Sequence, residues 1–489
     1  MHARRPALRP FRLRSAAVVL CAALAATALL AAAVPAAVPA RGADASAPVP
    51  AVAAPHAVPA APDLGPLVTP PSQVPSEMYL DAQQHAADPN TFEPGGRVTV
   101  GFQPRGSTPD PVAMPARAAS FAVPAPAAPA PLAATTHRRD VYGFLPYWEI
   151  SDPSTRLDFS VLSDVAYFSL GVDGSGNLLK RNSDGSLTTG WAGWTSARMT
   201  DVITKAHVAG ARVTLALSVF AWTPGAASIQ SALLDSATAR ARLAAQAVAA
   251  VRDRGADGIN LDVEPLVAGH EDGFVALIRS IRARLDAIGP GYSLSFDTTG
   301  QPANYPLEQA LAPGGADSVF VMGYDYRTDG SVNAGSIDPL SGPAYDLTET
   351  VQAYLARLPA SQIILGIPYY GRAWSTVSDA QNARTQTGAT YGSSVSVTYD
   401  NAVALAAQHG RRFDSREVSA WLAYQKRTCT GGSCVTTWRQ LYYDDAATLR
   451  ARYDMVIRSG IRGVGIWALG YDGSRPSFVF DGFCTREEL

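Results

Sequence analysis

The chain has 489 residues, 47% of them apolar and 17% charged, so it buries a core and is not a disordered protein. Its 40 basic and 42 acidic side chains leave a net charge of -2, which offers no surplus to a nucleic acid or another polyanion. Proline divides the chain in two: 23 of its 36 prolines fall within residues 1–137, so a Pro-rich tail precedes a globular domain.

Five arginines (Arg4, Arg5, Arg9, Arg12 and Arg14) precede an uncharged Ala/Leu/Val stretch, 16–34, that ends before Pro35. Together with the small residues around 38–45, this pattern predicts an export signal over 1–45 and a secreted protein, or a cell-surface one if the segment is retained as an anchor. Cys21 lies inside that segment and leaves with it. Residues 46–137 are dominated by Ala, Pro and Val, a composition that favours extended backbone and buries little, and they are expected to form a disordered linker. Within it, 92–106 alternates like a strand.

From residue 138 to 489, short apolar runs alternate with longer amphipathic stretches, as in a parallel sheet with helical crossovers. Eight strands are predicted, at 141–147, 164–170, 212–220, 257–264, 292–297, 317–325, 362–368 and 463–469. Helices are expected at 197–208, 236–254, 272–288, 347–358 and 444–459. Gly210, Gly255, Gly289 and Gly460 follow four of them, as left-handed C-terminal caps require. Eight strands predict an α/β fold, a (β/α)8 TIM barrel. The long gap before the last strand predicts a small α+β insertion over about 372–442, forming one wall of a cleft. In it Cys429 and Cys434 flank a short turn that a disulfide could close.

The stretch Asp257-Gly258-Ile259-Asn260-Leu261-Asp262-Val263-Glu264 carries the chemistry. Side chains of a strand alternate in direction, so Asn260, Asp262 and Glu264 share one face and Ile259, Leu261 and Val263 the other. In a barrel the polar face points inward, with Glu264 nearest the C-terminal rim, where such folds place their reactions. Carboxyl groups crowded in a dry interior hold protons more tightly, which suits Glu264 to general acid work. The cluster has no histidine and no calcium-loop spacing, so no metal or other cofactor is expected.

This stretch resembles the D-G-x-D-x-D-x-E signature of glycoside hydrolase family 18, the chitinase-like enzymes. Met322-Gly323-Tyr324-Asp325 is similar to the family's M-x-Y-D element, Gly366 to Trp374 to its G-x-P-x-Y-G-R segment, and Gly465-Ile466-Trp467 to its last-strand tryptophan. The resemblance implies a retaining hydrolysis in which the substrate's own acetamido oxygen is the nucleophile. By position, Glu264 would be the acid, Asp262 would hold the acetamide, and Tyr324 and Asp325 would bind the distorted sugar over a floor formed by Trp467. Asn260, Met322, Tyr147 and Tyr370 are further expected sugar-site residues, and Asp257 and Gly258 a structural part of the signature. Trp148, Trp222, Tyr326 and Trp374 are aromatic candidates for additional subsites.

Two departures bear on the substrate. Asn260 replaces an acidic position, as in the spore-germination branch of the family that cuts peptidoglycan-type glycans, and 217–220 lacks the S-x-G-G glycines of typical chitinases. The implied partner is a polysaccharide or oligosaccharide containing N-acetylglucosamine, cut at β-1,4 bonds by a monomer. The alternative is a catalytically silent, lectin-like barrel that binds the same sugars.

Overall fold

The computed structural model describes residues 71–86, 88, 139–153 and 155–473. The expected export signal and the strand-like stretch 92–106 lie outside them.

Eight parallel strands close into a barrel: β1 (Asp140–Pro146), β2 (Asp164–Gly171), β3 (Arg212–Phe220), β4 (Gly258–Glu264), β5 (Ser293–Thr299), β6 (Ser318–Met322), β7 (Ile363–Pro368) and, after an insertion, β13 (Gly463–Trp467). Around the barrel each strand pairs with its neighbour in sequence, and β13 closes the ring between β7 and β1. Each of the eight expected strands is present, with ends shifted by up to three residues.

Helices cover the outside, and their ends follow local chemistry. Ser196 caps the helix Ala197–Val208 by accepting from the Met199 amide, and Ser236 caps Ala237–Arg252 by accepting from Ala239. Gly210, Gly255 and Gly460 take the expected left-handed conformation at φ 81°, 65° and 72°. Gly289 departs from the expectation, with φ 151° and ψ 165°, because the chain there extends directly toward β5. The helix Pro224–Asp235 was not foreseen from the sequence; Thr223 caps it and Pro224 opens its first turn.

Inside the barrel, Phe320 of β6 reaches across to Phe144 and Tyr142 of β1, with ring centroids 4.9 and 5.8 Å apart. Glycines on β7 and β13 make room for it: a Cβ at Gly465 would lie 1.9 Å from the Phe320 ring and one at Gly366 2.6 Å from it. This layer fills the lower barrel and leaves the C-terminal end of the strands for polar side chains.

The insertion is an antiparallel sheet of β8 (Tyr370–Thr376), β9 (Val395–Thr398), β10 (Arg412–Asp414), β11 (Ser419–Thr430) and β12 (Ser433–Tyr443), in the order β10-β11-β12-β8-β9. The helix Tyr399–His409 packs on it, giving a small core of its own around Ala402, Leu422 and Leu441. Cys429 and Cys434 face each other across the β11–β12 turn and form a disulfide. A buried Arg327–Glu417 pair, with nitrogen–oxygen distances of 2.8 and 2.5 Å, ties the insertion to the loop after β6.

The linker expected over 46–137 needs correction at its centre. Ser76 caps a nine-residue helix, α1 (Glu77–His85), preceded by a 3-10 turn at Pro71–Gln73. Met78 of α1 is fully buried in the main core. A helix this short has little stability alone, so packing against the barrel, which composition does not reveal, holds it together.

Candidate active site

The signature strand begins away from the chemistry. The Asp257 carboxylate accepts from the Val213 amide and pairs with His207, each at 2.7 Å, and so locks the start of β4 to β3. At Gly258 a Cβ would stand 2.1 Å from the Ser293 hydroxyl, so only glycine lets β4 and β5 approach. Ile259, Leu261 and Val263 then pack outward, all fully buried, while Asn260, Asp262 and Glu264 point into the barrel.

Three rungs of the polar face have different partners. Asn260 donates its amide to the Ser295 hydroxyl at 3.0 Å and to Asp297 Oδ1 at 2.7 Å, both on β5. Asp262 is fully buried, and neither of its oxygens has a hydrogen-bond partner. Glu264, at the strand's end, accepts from the Trp222 indole at 3.2 Å and from Ser76, through its amide at 3.2 Å and its hydroxyl at 2.7 Å.

The neighbouring strand ends complete the site. Met322 ends β6, and the chain turns so that Tyr324 and Asp325 follow at the rim, both buried. Asp325 has φ 60°, a conformation uncommon for a side chain with a Cβ and often found where a site dictates the backbone. Its carboxylate accepts from the Tyr370 hydroxyl of β8 and from the Glu77 amide, each at 2.7 Å. The Tyr324 hydroxyl, like Asp262, has no partner. Trp467 ends β13 with its ring 4.8 Å from Phe168 and 6.3 Å from Trp148, and Tyr147 stands edge-on to Trp148 at 4.9 Å.

Burial dominates the electrostatics. It raises the Glu264 carboxyl to about 7 against the lowering effect of the Ser76 and Trp222 hydrogen bonds, with Asp325 adding to the rise. Asp325 is likewise raised to about 7, by burial first and then by Glu77, against the pull of Arg372. Asp262 lies well above the usual carboxylate range because it is buried beside Glu264 and Asp297. The arrangement therefore places carboxyl groups of raised proton affinity at the rim, with the unpartnered Asp262 oxygens and Tyr324 hydroxyl beside them.

The structure thus gathers Asn260, Asp262, Glu264, Met322, Tyr324, Asp325, Tyr370 and Trp467 at one end of the barrel, and Trp222 joins them through Glu264. Tyr326 and Trp374 are buried, with the Tyr326 hydroxyl bonded to Thr350 and the Trp374 indole donating to the Thr328 carbonyl. Asp297 was missed as a site residue, although Ser295 and Asp297 alternate on one face of the fifth strand and signal a polar interior. Arg372, within the segment after β7, was also missed; it is buried and bonds Glu77 at 2.7 Å. Nothing in the Pro-rich composition pointed to Ser76, Glu77 and Asp81.

The family model of the glycosyl hydrolases family 18 matches residues 140–472. YdhD of Bacillus subtilis (strain 168), named as a sporulation-specific glycosylase, is 31% identical over 147 residues, covering 29% of this chain and 33% of its own. Chitinase 1 of Aphanocladium album is 33% identical over 180 residues, covering 32% of this chain and 41% of its own. The matched stretches thus span between a third and two fifths of these relatives' length. Among solved structures, the Cycas revoluta chitinase in complex with (GlcNAc)3 superposes with a TM-score of 0.56 at 18% identity, over 69% of this chain and 97% of its own. The spore cortex-lytic enzyme SleL of Bacillus cereus gives 0.54 at 18% identity, over 71% and 75%. These two likenesses concern the fold. Barrel, signature strand and family match agree, and the chain belongs to the glycosyl hydrolases family 18.

Proposed function

We propose that this chain is a glycosidase that cleaves β-1,4 bonds next to N-acetylglucosamine, in chitin-like or peptidoglycan-type glycans, with retention of configuration. The observation that carries this reading is the pairing on β4 of a buried, raised Glu264 with an Asp262 whose two oxygens await a partner.

In this reading the glycan enters the C-terminal end of the barrel with a sugar ring over Trp467. Its acetamide lies against Asp262, which accepts the N–H, and Tyr324, whose hydroxyl donates to the carbonyl side. So held, the acetamido oxygen attacks the anomeric carbon of its own ring as the glycosidic bond breaks. Glu264 delivers its proton to the departing oxygen, and Asp262 stabilises the positive charge that develops on the cyclic intermediate. Water then opens the intermediate on the same face, giving a proton back to Glu264, so no carboxylate of the protein bonds the sugar. Asp325 and Tyr370 would orient the ring through their hydrogen bond to each other.

Asn260 and the similarity to the sporulation-specific glycosylase YdhD support peptidoglycan-type glycans; the similarity to Chitinase 1 of Aphanocladium album supports chitin oligomers. The arginine-rich, apolar start of the chain and the Cys429–Cys434 disulfide support action outside the cytoplasm. The test is product analysis on soluble N-acetylglucosamine oligomers and on purified peptidoglycan, with wild type beside Glu264→Gln. Products of retained anomeric configuration from wild type alone support the proposal. Binding without cleavage by either protein would make the chain a lectin-like barrel.

A further inference from the structure

The contacts of α1 converge on the groups assigned above to the sugar and its leaving oxygen. Ser76 takes both oxygens of Glu264, at 2.7 and 3.2 Å. Glu77 gives its amide to Asp325 and its carboxylate to Arg372, each at 2.7 Å. Asp81 accepts from the Trp467 indole at 3.0 Å and from the Tyr471 hydroxyl at 2.8 Å. Tyr79 stands edge-on to Phe220 at 5.0 Å, and His85 stacks on Trp148 at 4.2 Å. Ser76, Glu77, Met78, Asp81 and His85 are all buried. With the segment in place Glu264 is itself fully buried, and no sugar reaches it.

We propose that residues 71–86 are an intramolecular inhibitor, a plug that occupies the glycan site and must leave before substrate can bind. The plug presents a hydroxyl to the acid, carboxylates to the arginine and indole, and rings to the aromatic walls, a polar and stacking pattern of the kind a sugar chain offers. It does not satisfy the whole site. The Asp262 oxygens and the Tyr324 hydroxyl remain without partners beneath it, so a ligand carrying an acetamide makes contacts that the plug cannot. This difference in contacts lets substrate compete.

The chain is built for such an exchange. Fifty-four residues separate His85 from Asp140, a tether whose contour of roughly 180 Å lets the plug depart without disturbing the barrel. While tethered, the plug competes at a high effective concentration; once the tether is cut, it is diluted into solution. Undocked, a nine-residue helix loses its packing and unravels, which makes release an order-to-disorder step. The proposal rests on the glycan-site reading of the preceding section.

The test uses the full chain with Glu77→Lys, which reverses the partner of Arg372, and Met78→Asp, which breaks the buried contact of α1. Gln83→Ala, on the exposed side of α1, is the control. Two quantities are read: kcat/KM on N-acetylglucosamine oligomers, and the affinity for the tetramer followed by tryptophan fluorescence. Both plug variants are expected to gain at least tenfold in each, with the control unchanged and the cooperative thermal transition of the barrel kept. Unchanged or weaker binding and turnover in both, or loss of the barrel transition, would overturn the proposal and make the segment an ordinary part of the fold. If no protein cleaves glycan but the plug variants bind the tetramer more tightly, the plug stands and the hydrolase reading falls. If wild type cleaves and binds as well as the variants, the hydrolase reading stands and the plug falls.

Discussion

The Asn260 side chain donates to Asp297 Oδ1 at 2.7 Å, across one rung from β4 to β5. The amide supplies a hydrogen to a carboxyl group that burial pushes well above its usual range, and it adds no charge to the barrel interior. Asp262, two residues along the same face, is raised by Asp297 and Glu264 on top of its burial. A carboxylate at position 260 would add a third like charge. Asn260→Asp is therefore expected to shift the acidic limb of the kcat/KM profile, set by Asp262 ionisation, upward by about one pH unit. An unchanged or lower limb in the variant would reject this account of Asn260.

Tyr324 is a site where stability and activity should part. Its hydroxyl is buried without a partner, a state that costs about 1–3 kcal/mol. Tyr324→Phe removes the orphaned group and keeps the ring 6.1 Å from Tyr370. The variant should melt at a higher temperature and lose tenfold or more in kcat/KM. A variant that melts lower would show that the hydroxyl is already satisfied.

Glu264 links pH to both turnover and stability. With α1 docked its carboxyl is raised from 4.5 to about 7, so this form holds its proton well above the ordinary carboxylate range, and if Glu264 is the acid of the proposed mechanism turnover should decline on the alkaline side of the profile. A group whose folded pKa is raised contributes stability that is fully present below pH 4.5 and is lost as pH rises through 7. Glu264→Gln should lower turnover by a factor of at least about 100. It should also melt increasingly above wild type between pH 4.5 and 8; a constant difference across that range would show that Glu264 is not the titrating group.

Arg452 tests the join between barrel and insertion. It is fully buried on the helix Ala446–Ser459, with its Nε 2.9 Å from both Asp338 Oδ2 and Asp444 Oδ2. Arg452→Ala leaves two buried carboxyl groups without their cation and should cost about 3–5 kcal/mol in chemical unfolding. A loss below about 1 kcal/mol would mean that water or protons replace the arginine easily.

The barrel was legible because its signals are local. Its strands are short apolar runs closed by turns, and glycines mark three of the helix ends where a left-handed residue is needed. The β4 face was legible for the same reason: a two-residue period puts Asn260, Asp262 and Glu264 together whatever surrounds them. Asp297 was less so. It becomes the partner of Asn260 only through the register that sets Asn260 opposite Ser295.

The sequence by itself determined the architecture and the inward polar face of the signature strand, because these follow from periodicity and spacing within a few residues. Only the tertiary structure decided what fills the site. Ser76 meets Glu264 across 188 residues of chain, and Asp81 meets Trp467 across 386. A short helix in an Ala/Pro-rich tail has little preference of its own; its conformation and its place come from the complementary surface that the closed barrel presents.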